Sequence, residues 1–199
     1  MPDVIVGADG RARCAWPGMA TDELYQRYHD QEWGRVVHGD RPLFEKLSLE
    51  AFQSGLSWIT ILRRRETFRA AFADFDIATV AAFDDVDLAR LMDDTGIIRN
   101  RAKVLATISN AQVTRDLITG DEGALDRLIW GFAPPARTVP RRPGEFAPAT
   151  TPESVAASRA LKKLGYRFVG PTTVYALMQA TGMVDDHAPG CYLAGAIAP

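Results

Sequence analysis

Apolar residues recur every three to four positions along most of this chain, which is the spacing of one-sided helices. No stretch alternates apolar and polar positions as a half-buried strand does. After Thr21, read as a cap with Asp22 and Glu23 in the first turn, Leu24, Tyr25 and Tyr28 fall on one face. Pro42 suits a first helical position, Leu43, Phe44, Leu47 and Ala51 form the next stripe, and Gly55 stops it. Ser57 then caps a helix carrying Ile61, Leu62, Phe68 and Phe72, followed by a short one from Ile77 to Phe83. Leu88, Leu91 and Met92 mark a helix from about Val86 to Met92 that ends at Gly96, and the next begins near Arg99 with Val104, Leu105, Ile108 and Ala111 inward. Leu125, Leu128, Ile129 and Phe132 predict one more. Residues 133–150 are rich in Pro and Arg and read as a loop. Thr150 with Glu153 resembles a capping box for a helix with Pro152 in its first turn, ending at Gly165, and a last helix runs from Pro171 to about Thr181. The pattern predicts an all-α protein.

At 199 residues the chain suits one domain, residues 1–199, large enough to bury a core. No apolar run approaches the roughly 18 residues that span a bilayer, and the start lacks an apolar segment with a cleavage site. A cytoplasmic protein without a membrane partner is expected. The net charge of −2 speaks against nucleic-acid binding, for which a basic surface is usual. The positive charge is clustered, however, at Arg63-Arg64-Arg65, at Arg99, Arg101 and Lys103, at Arg137, Arg141 and Arg142, and at Lys162, Lys163 and Arg167. One basic face on a bipolar surface would accommodate DNA; solvated helix faces would give the same clusters.

Four groups of residues carry candidate chemistry. Gly96-Ile97-Ile98 is a tight turn between two amphipathic segments, followed at once by Arg99, Arg101 and Lys103. The free amides and dipole of a helix N-terminus favour anions, so this corner could grip a phosphate, or could be an ordinary packing corner. Glu50 lies three residues after Leu47 and seven after Leu43, on the core-facing stripe, where a carboxylate is costly unless it is paired or used. Trp16, Tyr25, Tyr28, Trp33 and Trp58 gather in the first third of the chain, as plain core or as rings that stack on a cationic base. The two cysteines, Cys14 and Cys191, with His29 and His187 would complete a closed tetrahedral zinc shell, a structural arrangement. A cytosolic disulfide is the less favoured alternative. His38 is not expected to be a ligand.

Taken together, these residues resemble the 3-methyladenine DNA glycosylase I family. The resemblance runs from Arg13-Cys14-Ala15-Trp16 through Tyr28-His29-Asp30-Gln31-Glu32-Trp33-Gly34, Leu49-Glu50 and Gly55-Leu56-Ser57-Trp58-Ile59-Thr60. It continues at Gly96-Ile97-Ile98-Arg99 and the Leu161–Gly170 stretch, and closes at Val184-Asp185-Asp186-His187. It implies a helix-hairpin-helix fold and a zinc held by Cys14, His29, His187 and Cys191, in a lobe of residues 13–33 and 184–192. It also implies a base pocket of Glu50, Trp16, Tyr28, Trp33 and Trp58 with Tyr25 near it. The implied activity is removal of 3-methyladenine from double-stranded DNA by a monomer, with Glu50 as the catalytic group. Leu56 is then a candidate wedge for the gap left by the flipped base. About ten residues precede the family's usual start, the 133–150 loop is distinctive, and Ser54 replaces a small apolar residue. Neither Asp116 nor Asp121 sits in the surroundings expected of a catalytic aspartate. A non-cleaving DNA or base binder and a zinc hydrolase are the rival readings; the complete pocket set weighs against the first and a closed four-ligand metal shell against the second.

Overall fold

A computed structural model describes residues 3–135, 142–145 and 147–195. Arg137 and Arg141 of the third basic cluster lie outside the described residues. Helix α1 (Glu23–Gln31) starts at Asp22, whose carboxylate accepts a hydrogen bond from the Tyr25 amide at 3.0 Å, so the cap falls one residue after Thr21. Helix α2 (Asp40–Gln53) begins two residues before Pro42 and buries Leu43, Phe44, Leu47, Leu49, Glu50 and Phe52. The helix expected after Ser57 is two: α3 (Trp58–Leu62) and α4 (Arg65–Ala71). The break at Arg63-Arg64 sends neighbouring guanidiniums to different acids, Arg63 to Asp22 and Arg65 to Glu32. Two of the three cations in that basic triplet are therefore already paired with acids of the protein itself.

Helix α5 (Ile77–Ala81) is capped by Asp76, and α6 (Asp85–Asp93) by a reciprocal Asp84–Asp87 box. Asn100 caps the long α7 (Arg101–Ile118), and α8 (Ala124–Trp130) follows. Helix α9 (Pro152–Lys163) is capped by Thr151 with Ser154, one residue later than Thr150 and Glu153. Helix α10 (Pro171–Ala180) ends where its period predicts. Among the described residues no helix is long and apolar enough to cross a membrane.

The all-α expectation needs one correction. Strands β1 (Val4–Val6) and β2 (Ala12–Cys14) pair antiparallel, with Val4 opposite Cys14. Three-residue strands are too short to register as an alternating pattern, so periodicity does not detect them. The hairpin has a positional consequence: the Tyr192 amide donates to the Ala12 carbonyl at 2.8 Å, tying the C-terminal segment to β2.

Helix α2 lies at the centre and packs on α3, α7, α8 and α10. Its apolar side joins Phe68, Phe72 and Phe75 in the main core, with the Phe52 and Phe68 rings 4.6 Å apart. A second cluster forms where α1 and α3 meet, from Met19, Tyr25, Tyr28 and Leu62 with Trp16, Trp33 and Trp58 around them. The site is built on this second cluster.

Candidate active site

A cavity of about 580 Å³ opens between these elements. Helix α2 supplies Glu50, α1 supplies Tyr25 and Tyr28, and Trp58 is the first residue of α3. Trp16 comes from the segment after β2 and Trp33 from the chain leaving α1, so all six expected pocket residues line one space. The rings brace one another: Trp16 lies 5.1 Å from Tyr25 and 4.8 Å edge-on from Trp33, and Tyr28 lies 5.3 Å from Trp58. Sequence reasoning did not single out Gln53, Gln179 or Asp186, which also line the cavity. Gln53 was accessible to it, since it follows Glu50 by three residues on the same helix face. Asp186 accepts from the Tyr175 hydroxyl at 2.6 Å and the Gln179 amide at 2.8 Å, a contact with no local signal.

Glu50 is 5% exposed, and its Oε2 has no hydrogen-bond partner among the described residues. Burial pushes its carboxyl up to about 8, opposed by the positive charge of Lys46 one helical turn earlier. The Trp58 indole N–H is likewise buried without a partner. Burial and the nearby Glu50 carboxyl push the Tyr28 phenol well above its ordinary value. A buried acceptor and a buried donor left open in a ring-walled cavity suit a flat, polar-edged ligand, because such atoms are otherwise costly.

Next to this cavity the chain ends meet. The ligand atoms of Cys14, His29 and Cys191 lie within 4.8 Å of one another, all buried. Hydrogen bonds from Cys14 and His29 hold the Cys191 thiol down to about 4. Asp30 takes the His29 Nδ1 at 2.9 Å, leaving Nε2 directed at the sulfurs, and Arg13 clamps Asp30 in turn. His187 stands outside this three-membered group, with its ring 5.2 Å from that of His29. Its Nδ1 is held by Asp185 at 2.8 Å, the same carboxylate–imidazole arrangement. No disulfide joins Cys14 and Cys191, so the disulfide alternative is not formed.

The expected DNA-contact residues divide. Leu56 is 41% exposed, just after Gly55, whose φ of +83° is the left-handed conformation that turns α2 into the next segment. Arg99 and Arg101 are exposed, with no carboxylate partner among the described residues. Lys103 corrects the expectation of a phosphate contact. It is 6% exposed, and its ammonium donates to the carbonyls of Phe52 at 2.8 Å and Ser54 at 2.6 Å. The last carbonyls of α2 lack helical partners, and the lysine supplies them. Gly96 is also engaged internally: its amide donates to Asp94 at 2.7 Å and its carbonyl accepts from Thr67 at 2.7 Å.

A second corner, between α9 and α10, is more open. Gly170 gives α10 no side-chain cap, leaving its first amides available, and Lys162, Lys163 and Arg167 are exposed around it. Asn110 of α7 fixes this loop by bonding both the amide and the carbonyl of Arg167, at 2.8 and 3.0 Å. Phe168, at φ +56°, is held in the left-handed region and partly exposed.

DNA-3-methyladenine glycosylase 1 of Escherichia coli (strain K12) is 44% identical over 181 residues, 90% of this chain and 95% of that protein. DNA-3-methyladenine glycosylase of Haemophilus influenzae is 42% identical over 182 residues, 90% of this chain and 96% of that one. A crystal structure of a 3-methyladenine DNA glycosylase I superposes with a TM-score of 0.83 at 44% identity, covering 90% of this chain and 98% of that one. The glycosylase I of Staphylococcus aureus, solved to explain its 3-methyladenine recognition, gives 0.80 at 30% identity, covering 86% and 92%. The family model described as methyladenine glycosylase matches residues 16–194, and the chain belongs to the methyladenine glycosylase family.

Proposed function

We propose that this protein is a base-excision repair enzyme that hydrolyses the N-glycosidic bond of 3-methyladenine in alkylated double-stranded DNA. The observation that carries this reading is the buried Glu50 carboxyl, one oxygen open, in a cavity walled by two tyrosines and three tryptophans. Its relatives are named for that activity. A 3-methylated adenine is cationic as a nucleoside, so its bond to the sugar is already weak and the base departs neutral. The bonding electrons go to the base, water adds to the sugar carbon, and the water's proton is released. No strong general acid is required. The protein contributes by flipping the base out, enclosing it between rings, and accepting its amino hydrogens at Glu50 better in the transition state than before it. No lysine lines the cavity among the described residues, so a Schiff base and strand cleavage are not expected.

For DNA grip, Leu56 is the wedge, and Arg99 and Arg101 are phosphate contacts. The α9–α10 corner, with its uncapped amides and three cations, is the better candidate for the helix-hairpin-helix element than the corner at Gly96. The residues around Cys14 fit a structural zinc, with two thiols and one imidazole converging and carboxylates orienting both His29 and His187. In that role His187 is the fourth ligand and the metal ties residues 13–33 to 184–192. A bound zinc would supply a cross-link and no step of the reaction.

The test is direct: purified protein is incubated with alkylated duplex DNA, and both free bases and strand breaks are measured. Free 3-methyladenine with intact strands bearing abasic sites is the expected result. Tight binding to the DNA without base release would identify a non-cleaving binder instead.

A further inference from the structure

Lys46 lies one turn before Glu50 on α2, so the two side chains share a face. It lines a second cavity of about 270 Å³, whose wall includes Glu32, Glu45, Arg65, Arg69 and Trp58. Trp58 also lines the base cavity, so its indole borders both spaces. The other charged groups of the second cavity already have partners. Arg65 pairs with Glu32, Arg69 pairs with Glu45 at 2.7 Å, and Arg35 donates to the Asp30 carbonyl at 3.1 Å. Among the described residues Lys46 has no hydrogen bond or ion pair, and Glu50 has an open oxygen. An unpaired half-buried cation and an unpaired buried carboxyl therefore stand one helical turn apart.

We infer that Lys46 is a positioning residue that keeps Glu50 able to take its ionised form when a base enters the cavity. This rests on Glu50 being the recognition group. Every other charged or titratable group near the pair leaves that task to Lys46. Tyr28 of α1 and Asp186 beyond α10 line the cavity with Glu50 but supply no positive charge, and Lys103 of α7 is committed to the α2 carbonyls. Burial, with Arg65, holds the Lys46 ammonium below its ordinary value, and Glu32, Glu50 and Glu45 act against this to keep it charged. Burial pushes the Glu50 carboxyl up to about 8 against the opposing charge of Lys46, and the amino hydrogens of an arriving base complete the shift to the ionised form.

Free 3-methyladenine is the probe, with binding followed by tryptophan fluorescence from pH 6 to 9.5. The proteins are the wild type, Lys46→Met, Lys46→Arg, Glu50→Gln and the Lys46→Met/Glu50→Gln double variant. Lys46→Met should bind about tenfold or more weakly at pH 7.5 and recover as the pH rises, its midpoint moving up by about one to three pH units. Lys46→Arg should restore the wild-type profile, and Lys46→Met should add nothing once Glu50 is Gln. Protonation of the ligand is common to all and cancels. If Lys46→Met does not fold, Lys46→Gln takes its place in the same comparison. An unmoved midpoint, or a Lys46 effect of equal size in the Glu50→Gln background, would overturn the inference while leaving Glu50 as the recognition group. A Glu50→Gln protein that binds like the wild type would instead overturn the recognition reading, and this inference with it.

Discussion

Replacing Glu50 by Gln should make the protein more stable in mildly alkaline solution, and the amount follows from burial. In the folded state the carboxyl is pushed up to about 8 because it is buried with one oxygen unsatisfied, against an ordinary value of 4.5. Between these two values the folded protein holds a proton that the unfolded chain has lost. Stability must therefore fall as pH rises through that window. Each unit of difference corresponds to about 1.4 kcal/mol, so the full loss by pH 9 is on the order of 5 kcal/mol. A glutamine at the same place carries no charge and suffers no such loss, while its shape leaves the packing of α2 unchanged. Urea unfolding of both proteins at pH 4.5, 6, 7.5 and 9 should give nearly equal stability at the lowest pH. The advantage of Glu50→Gln should then grow to about 3–5 kcal/mol at the highest. Groups that titrate alike in both proteins cancel from the difference. A constant difference across the series would show that Glu50 is not held against its ionised form, and the reasoning from burial would fail. A site residue that costs stability is the expected signature of a group kept for binding rather than for folding.

Three further outcomes follow from other parts of the structure. Metal analysis should find about one zinc per chain, and Cys14→Ser or chelation should lower the unfolding midpoint sharply, because binding at a closed site adds to folding free energy. A metal-free protein of undiminished stability would remove the zinc. Lys103→Ala should destabilise by about 2–4 kcal/mol in urea, since two α2 carbonyls lose a charged donor, without altering the salt dependence of DNA binding. Arg99→Ala and Lys162→Ala should do the reverse, each lowering the slope of log affinity against log salt by about one at little cost in stability; an unchanged slope would place the DNA surface elsewhere.

Periodicity was enough to locate the helices, because a stripe such as Leu43, Phe44 and Leu47 repeats over several turns and caps such as Asp76 and Asn100 fix its ends. It placed Glu50 on a buried face for the same reason. What it could not see was direction. Lys103 sits among exposed cations in the sequence, yet faces the end of α2 because two carbonyls there need a donor. Arg63 and Arg65 look like a free basic patch until the break between α3 and α4 turns them to Asp22 and Glu32. The cysteine–histidine cluster was read from residue types and a family likeness. What brings Cys14 and Cys191 together physically is a three-residue hairpin and one backbone bond from Tyr192 to Ala12, too small to leave a periodic signal. The α9–α10 corner went unassigned because its feature is a missing cap at Gly170, and an absent side chain leaves no pattern to find.

The central claim is that Glu50 recognises the departing base, and single-turnover release of 3-methyladenine from alkylated duplex DNA by Glu50→Gln tests it most directly. Gln turns one acceptor oxygen into a donor facing the amino hydrogens of the adenine edge. Losing a charged hydrogen bond and leaving a group unpaired costs roughly 1.5–4 kcal/mol. The account therefore predicts a rate lower by about ten- to several-hundred-fold, with measurable excision remaining because the lesion is labile on its own. Release at the wild-type rate would contradict it and leave the enclosing rings of Trp16, Tyr28 and Trp58 as the source of catalysis.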